Sequence, residues 1–149
     1  MRAVVQRVSR AEVRVDGAAV GAVGLGLAAL VSVGVDDAEP DAAYIAEKIA
    51  ALRIFRDEAG LMNRSVLEAG GGVLLISQFT LHGDVRKGRR PSFIAAARED
   101  AAQPLFERVG ALLQRAGVPT AFGSFGATME VELVNDGPVT ILLDSKRAF

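Results

Sequence analysis

The passage that most limits how this chain can fold runs from Gly70-Gly71-Gly72 through Val73-Leu74-Leu75-Ile76 into Ser77-Gln78-Phe79-Thr80. The glycines make a tight connector, and the uninterrupted apolar run behind them reads as a buried strand. Its far end is chemically dense. Ser77, Gln78, Thr80 and His82 offer hydrogen-bonding groups, and Arg86-Lys87-Gly88-Arg89-Arg90 then sets four cations within five positions. A strand end beside a grip for phosphate is what that order suggests.

The flanks are rich in further strand signals. Val4, Gln6 and Val8 alternate with Val5 and Arg7, and Val13 and Val15 alternate with Arg14 and Asp16, which predicts two short strands before a hairpin at Asp16-Gly17. Residues 20–35 predict two more, bent or bulged at Gly21, Gly24, Gly26 and Gly34. Gly24-Leu25-Gly26 lacks the third glycine and the following helix of a dinucleotide loop, so it is read as a turn. Ile45, Ile49 and Leu52 recur at helical spacing after Pro40-Asp41, and Met62-Asn63 opens a piece of no defined type. Leu105, Phe106, Val109, Leu112, Leu113 and Ala116 form one apolar stripe, predicting a second helix with Pro104 in or near its first turn and Gly117 and Pro119 at its end. Met129, Val131 and Leu133 alternate with polar neighbours, and residues 139–143 follow a break at Gly137-Pro138, which predicts two closing strands. The expectation is one α+β domain over residues 1–149: a mostly antiparallel curved sheet or partial β-barrel with two main helices.

Charge and composition remove several classes of function. A formal net charge of −1 is not that of a globally basic nucleic-acid binder, so any RNA contact must be local and no DNA partner is expected. With one histidine and no cysteine, neither a disulfide nor a His/Cys zinc site can be assembled, and no metal or other cofactor is expected. No stretch approaches the ~20 apolar residues of a membrane span, and the N-terminus lacks the apolar core of a signal peptide. No membrane association and a cytoplasmic location follow as expectations.

Ser77 and Thr80 are candidate nucleophiles, which need an adjacent base. His82 lies two positions from Thr80, on the same face if the strand continues, and Asp84 is a third candidate for a Ser/Thr–His–Asp arrangement. The alternative is that Ser77 and Thr80 satisfy backbone groups at a strand end. Taken alone, Gly137-Pro138 reads as a turn, Arg7 as a surface arginine, the cationic run as a solvated loop, and Phe125 and Met129 as core.

Two long segments, Ser77-Gln78-Phe79-Thr80-Leu81 with its basic sequel and Asn135-Asp136-Gly137-Pro138-Val139-Thr140, closely resemble the paired signatures of the D-aminoacyl-tRNA deacylase family. Phe122-Gly123-Ser124-Phe125-Gly126-Ala127-Thr128-Met129 matches a further family segment, and the resemblance runs from Met1 through Ser145. It implies hydrolysis of the ester in D-aminoacyl-tRNA, and in mischarged glycyl-tRNA, as chiral proofreading. Ser77, Gln78, Phe79 and Thr80 would line the site of the 3′-terminal adenosine and its ester, with main-chain N–H groups around Phe79 and Thr80 as an oxyanion hole. Thr80 would position rather than attack, the incoming water being helped by the substrate's own 2′-hydroxyl.

The resemblance also implies a cis Gly137-Pro138 bond inserted into the partner's active site, so that the expected assembly is a homodimer with cross-subunit sites. Its carbonyls would hold the α-amino group and leave an L side chain no room, with Arg7 bracing the loop. Phe125 and Met129 would flank the adenosine, and Arg86, Lys87, Arg89 and Arg90 would meet acceptor-stem phosphates. Two departures touch local packing and RNA docking. His82-Gly83 stands where an aromatic and a small residue are usual, and Thr128 where an acidic residue is common. Two rivals are an esterase using Thr80 and His82, and a non-catalytic RNA-binding module.

Overall fold

Strand β1 (Arg2–Val15) is bordered along both edges, and the other strands take their places from it. The computed structural model describes all of residues 1–149. Along one edge, Arg2 to Val8 pair antiparallel with β3 (Gly26–Ser32), and Ala11 to Val15 with β2 (Ala18–Val23). Along the other edge runs β8 (Glu130–Asp144), also antiparallel. The sheet continues from β3 to β6 (Gly72–Ser77) and on to β7 (Thr120–Phe122), both added parallel. No ladder joins β7 to β2, yet the two are packed together. A Cβ on Gly21 would stand 2.1 Å from the Phe122 carbonyl oxygen. The sheet therefore curls into a near-barrel with one seam closed by packing alone. A two-stranded ribbon, β4 (Phe55–Arg56) with β5 (Met62–Arg64), occupies part of the region without a clear sequence signal.

Helix α1 (Glu39–Ala51) buries Ala42, Ile45, Ala46 and Ile49, and α2 (Glu99–Arg115) buries Phe106, Val109, Gly110 and Leu113. Both contribute to a core of 22 buried residues that includes Val73 and Leu75 of β6. Leu74 and Ile76 point the other way, into a second cluster with Val8, Val13 and Ala28. Burial on both faces is the reason β6 is an unbroken apolar run instead of an alternating one. No helix is long and apolar enough to cross a membrane.

The expected fold class holds, with three differences in the elements. Residues 2–15 form one strand instead of two; the alternation breaks at Ser9-Arg10 because the register with β8 shifts on either side of Val8. Residues 130–144 likewise form one strand instead of two. Helix α2 starts at Glu99, so Pro104 lies beyond its first turn. Glu99 and Asp100 favour that start through the helix dipole, but they carry no apolar signal.

Candidate active site

The site grows from the point where β6 stops. Gln78 N–H still bonds the Val31 carbonyl at 2.8 Å, continuing the pairing with β3 for one residue. The backbone then tightens into a 3-10 turn, Phe79–His82. Its first internal bond runs from Leu81 N–H to the Gln78 carbonyl at 3.2 Å, so the amides of Phe79 and Thr80 come before any acceptor the turn itself provides. Arg2 Nη1 holds the Leu81 carbonyl from below at 3.0 Å. Phe79 is 57% exposed, and its ring rests edge-to-face on Phe93, 5.1 Å between centroids.

Beside the turn opens a cavity of about 450 Å³, mostly apolar, between the C-terminal ends of β3 and β6 and the start of α2. Ser77, Gln78, Phe79, Phe125 and Met129 line it together, so residues from two distant parts of the sequence meet where one ligand could touch them all. Phe125 is tilted against Phe106 at 5.5 Å, which fixes one wall. Thr80 is not in the lining, and its hydroxyl is taken by the Gln78 side-chain amide.

The Thr80–His82 pairing is not formed. Because the backbone coils at Phe79, the two side chains diverge, and His82 turns inward, where its Nδ1 meets Ser32 Oγ at 2.5 Å. Burial, followed by the Arg2 guanidinium and the chain's terminal ammonium, holds His82 below the ordinary histidine value, and the ring is neutral at pH 7. Asp84 does not orient it either. That carboxylate is clamped by Arg86 Nε at 2.9 Å and Nη2 at 2.6 Å, and the guanidinium holds its pKa far below the usual carboxylate range. The esterase built on Thr80, His82 and Asp84 therefore has no assembled machinery. Sequence reasoning missed Ser32, whose only signal was a lone hydroxyl inside the apolar run Leu30-Val31-Ser32-Val33.

The Gly137-Pro138 bond is cis. Gln6 pairs with Thr140 and Val8 with Asn135, so residues 136–139 all stand opposite Arg7 and loop off the ladder. Arg7 is buried, with 2% of its surface exposed. Its Nε donates to the Asp136 carbonyl at 3.1 Å and its Nη1 to the Ile54 carbonyl at 2.6 Å, while the Asp136 carboxylate lies 3.3 Å from Nε. Asn135 Oδ1 accepts the Val139 amide at 3.0 Å and closes the loop's base. The surface-arginine alternative is thus set aside.

This loop is distant from its own chain's cavity. Arg7 sits opposite Leu27 at one end of β3, whereas Ser32, at the cavity, sits at the other. Leu27 and Ser32 are five residue steps apart along the strand, roughly 17 Å at about 3.3 Å per residue. Arg7 and Asp136 instead line a smaller cleft of about 270 Å³ with Arg56 and Arg64. The cationic loop projects beyond the turn, its base tied by Asp84 N–H to the Ser92 carbonyl at 2.8 Å and the reverse bond at 2.9 Å. Arg86 is occupied by Asp84, whereas Lys87, Arg89 and Arg90 are exposed and make no ion pair.

The family model described as D-Tyr-tRNA(Tyr) deacylase matches residues 4–144. Among similar curated proteins, the D-aminoacyl-tRNA deacylase of Anaeromyxobacter dehalogenans is 62% identical over 149 residues, all of both chains. That of Koribacter versatilis is 60% identical over the same span, again all of both. That of Thermus aquaticus is 57% identical over 145 residues, 97% of this chain and 95% of the relative. A solved structure described as c-Myc DNA Unwinding Element Binding Protein superposes with a TM-score of 0.92 at 38% identity, covering 97% of this chain and 98% of that one. A probable eukaryotic D-amino acid tRNA deacylase shares the fold at a TM-score of 0.79 and 19% identity, over 95% of this chain and 97% of that one.

Proposed function

The chain belongs to the D-Tyr-tRNA deacylase family, and from that premise we propose how its residues carry out the family's reaction. It hydrolyses the ester of D-aminoacyl-tRNA, releasing free tRNA and the D-amino acid, an act of translation proofreading. The carrying observation is that Phe79, whose amide and that of Thr80 precede any acceptor within the turn, lines the same cavity as Phe125 and Met129.

The terminal adenosine occupies the cavity and the ester carbonyl lies against the two amides. Water adds to the carbonyl carbon, and the resulting oxyanion accepts hydrogen bonds from the amides; one such donor is worth about 2.7–4 kcal/mol. The bond to the ribose 3′ oxygen then breaks, the proton given up by the water reaching that oxygen by way of the substrate's 2′-hydroxyl. This division of labour suits a turn whose only imidazole faces inward. The ester is already activated, so positioning and charge stabilisation supply what is needed.

Handedness is read by the Gly137-Pro138 loop of a second copy of the chain. The roughly 17 Å of β3 between the position opposite Arg7, which holds this loop, and Ser32 at the cavity supports a site completed in trans. The free edge of β8, with Val131, Val134 and Leu142 exposed nearby, supports a homodimer. Loop carbonyls hold the α-amino group, an L side chain meets main chain, and a D side chain points outward. Glycine has no side chain to exclude, so glycyl-tRNA is a second substrate. Lys87, Arg89 and Arg90, with Arg86 held back by Asp84, grip acceptor-stem phosphates in the cytoplasm without reading bases.

The test is a matched time course on D- and L-tyrosyl-tRNA at sub-stoichiometric protein. Rapid release from the D ester alone, lost when the terminal adenosine is 2′-deoxy, is the expected result. Equal rates on both enantiomers would overturn the proofreading assignment, and full activity on the 2′-deoxy substrate would overturn the substrate-assisted step.

A further inference from the structure

Beneath the 3-10 turn lies a buried polar pair that the mechanism above does not use. Ser32 has 1% of its surface exposed and His82 8%, and polar groups so buried are costly unless each bond they make is satisfied. Ser32 Oγ touches two groups: His82 Nδ1 at 2.5 Å and the Phe79 carbonyl oxygen at 3.2 Å. The carbonyl can only accept, so the one hydroxyl proton goes to it, and His82 must then present an N–H at Nδ1 to the remaining Ser32 lone pair. The bonds form a directed chain from His82 Nδ1–H to Ser32 Oγ–H to the Phe79 carbonyl. That carbonyl belongs to the same planar unit as the Thr80 amide. In a trans peptide, C=O and N–H point in opposite directions, so pinning the oxygen toward β3 aims the Thr80 N–H away from it.

We propose that Ser32 and His82 are positioning residues that fix the Phe79–Thr80 peptide plane so that the Thr80 N–H meets the oxyanion. This rests on the reading of that amide as an oxyanion donor. Filling space explains the pair less well, because two apolar side chains would occupy the same volume without desolvating a hydroxyl and an imidazole. Arg2 holds the next carbonyl but one, Leu81, so the turn is anchored at two points and the Ser32 anchor is the one on the catalytic peptide.

The test compares wild type with Ser32→Ala, His82→Asn, which keeps a donor near Nδ1, and the double variant Ser32→Ala/His82→Leu, which replaces both partners with apolar groups. Each is assayed on D- and L-tyrosyl-tRNA with a parallel thermal melt. Ser32→Ala should lose about tenfold or more in kcat, part of the 10²–10³ attributed to one oxyanion donor. The D-over-L preference should be unchanged. His82→Asn should stay within about threefold of wild type, on the same scale. The double variant should recover the melting temperature but not kcat. Recovery of both would reduce the pair to core filling and overturn the proposal, as would wild-type kcat in a folded Ser32→Ala. Should Ser32→Ala fail to fold, the double variant decides. Wild-type protein inert toward D-tyrosyl-tRNA would instead overturn the parent reading, and this proposal with it.

Discussion

Replacing Arg7 with methionine separates stability from handedness. Methionine keeps a long apolar stem in the same channel but removes the donors to Ile54 and Asp136 at 2.6 and 3.1 Å, together with the nearby carboxylate. Hydrogen bonds to charged groups contribute about 1.5–3 kcal/mol each, and part of that is returned because a guanidinium no longer has to be desolvated. Asp136 is half-exposed and can rehydrate, so the net cost is about 2–3 kcal/mol. For a chain of this size each kcal/mol lowers the melting temperature by about 2–4 °C, giving a drop of about 4–12 °C. On the proposed reading the loosened Gly137-Pro138 loop also admits L esters. The ratio of D- to L-tyrosyl-tRNA turnover should then fall at least about tenfold, equivalent to about 1.4 kcal/mol of discrimination. Thermal melts and paired time courses read the two effects separately. An unchanged melting temperature would deny the bonds themselves. A lowered one with intact discrimination would show that Arg7 holds the fold together and has no hand in chirality.

Three further outcomes are expected. Lys87, Arg89 and Arg90 are unpaired, so the log–log salt dependence of tRNA binding should have a slope of about −2 to −3; replacing all three with alanine should flatten it, and an unchanged slope would remove this loop from the RNA interface. Burial raises the Asp41 carboxyl, but hydrogen bonds from Lys146, Ser145 and the Ala38 amide outweigh it and hold the pKa at about 2 instead of the ordinary 3.8. The folded value is the lower one, so the stabilisation is complete above the ordinary value and drains away as pH falls toward about 2. Asp41→Asn should be less stable at pH 7 and show a shallower acid loss in urea titrations; parallel curves for variant and wild type would contradict the linkage. Gly26→Ala would place a Cβ 2.0 Å from the Gly72 carbonyl oxygen where β3 and β6 first pair, a backbone contact that cannot move aside cheaply. A cost of about 3 kcal/mol is expected in the urea midpoint, and an unshifted midpoint would place the ladder's start elsewhere.

Much of this architecture could be read before any coordinates, wherever one residue's neighbours along the chain determine its surroundings. The stripe from Leu105 to Leu113 and the run at Val73 to Ile76 were of that kind. What stayed hidden depends on pairing between distant segments. Ser9-Arg10 breaks the alternation of β1 only because β8 shifts register there, and Gly137-Pro138 resembles a break between strands because residues 136–139 leave a ladder that continues on both sides. The parallel attachment of β6 to β3 left no local mark. Within the site, Thr80 and His82 could be matched on an imagined strand face, but the turn at Phe79 sends them apart. Ser32 and His82 are 50 residues apart in sequence, and nothing local to either announces the other.

The ladder that joins Arg2 to Asp144 ties the chain's beginning to its end. During synthesis, the outer margin of β1 stays bare until residues 130–144 have emerged, at about 5–20 residues per second. For those seconds the nascent protein exposes an open row of N–H and C=O groups, the kind of margin on which neighbouring chains aggregate. The arginines at positions 10 and 14 give that margin some charge to keep such neighbours apart while the wait lasts.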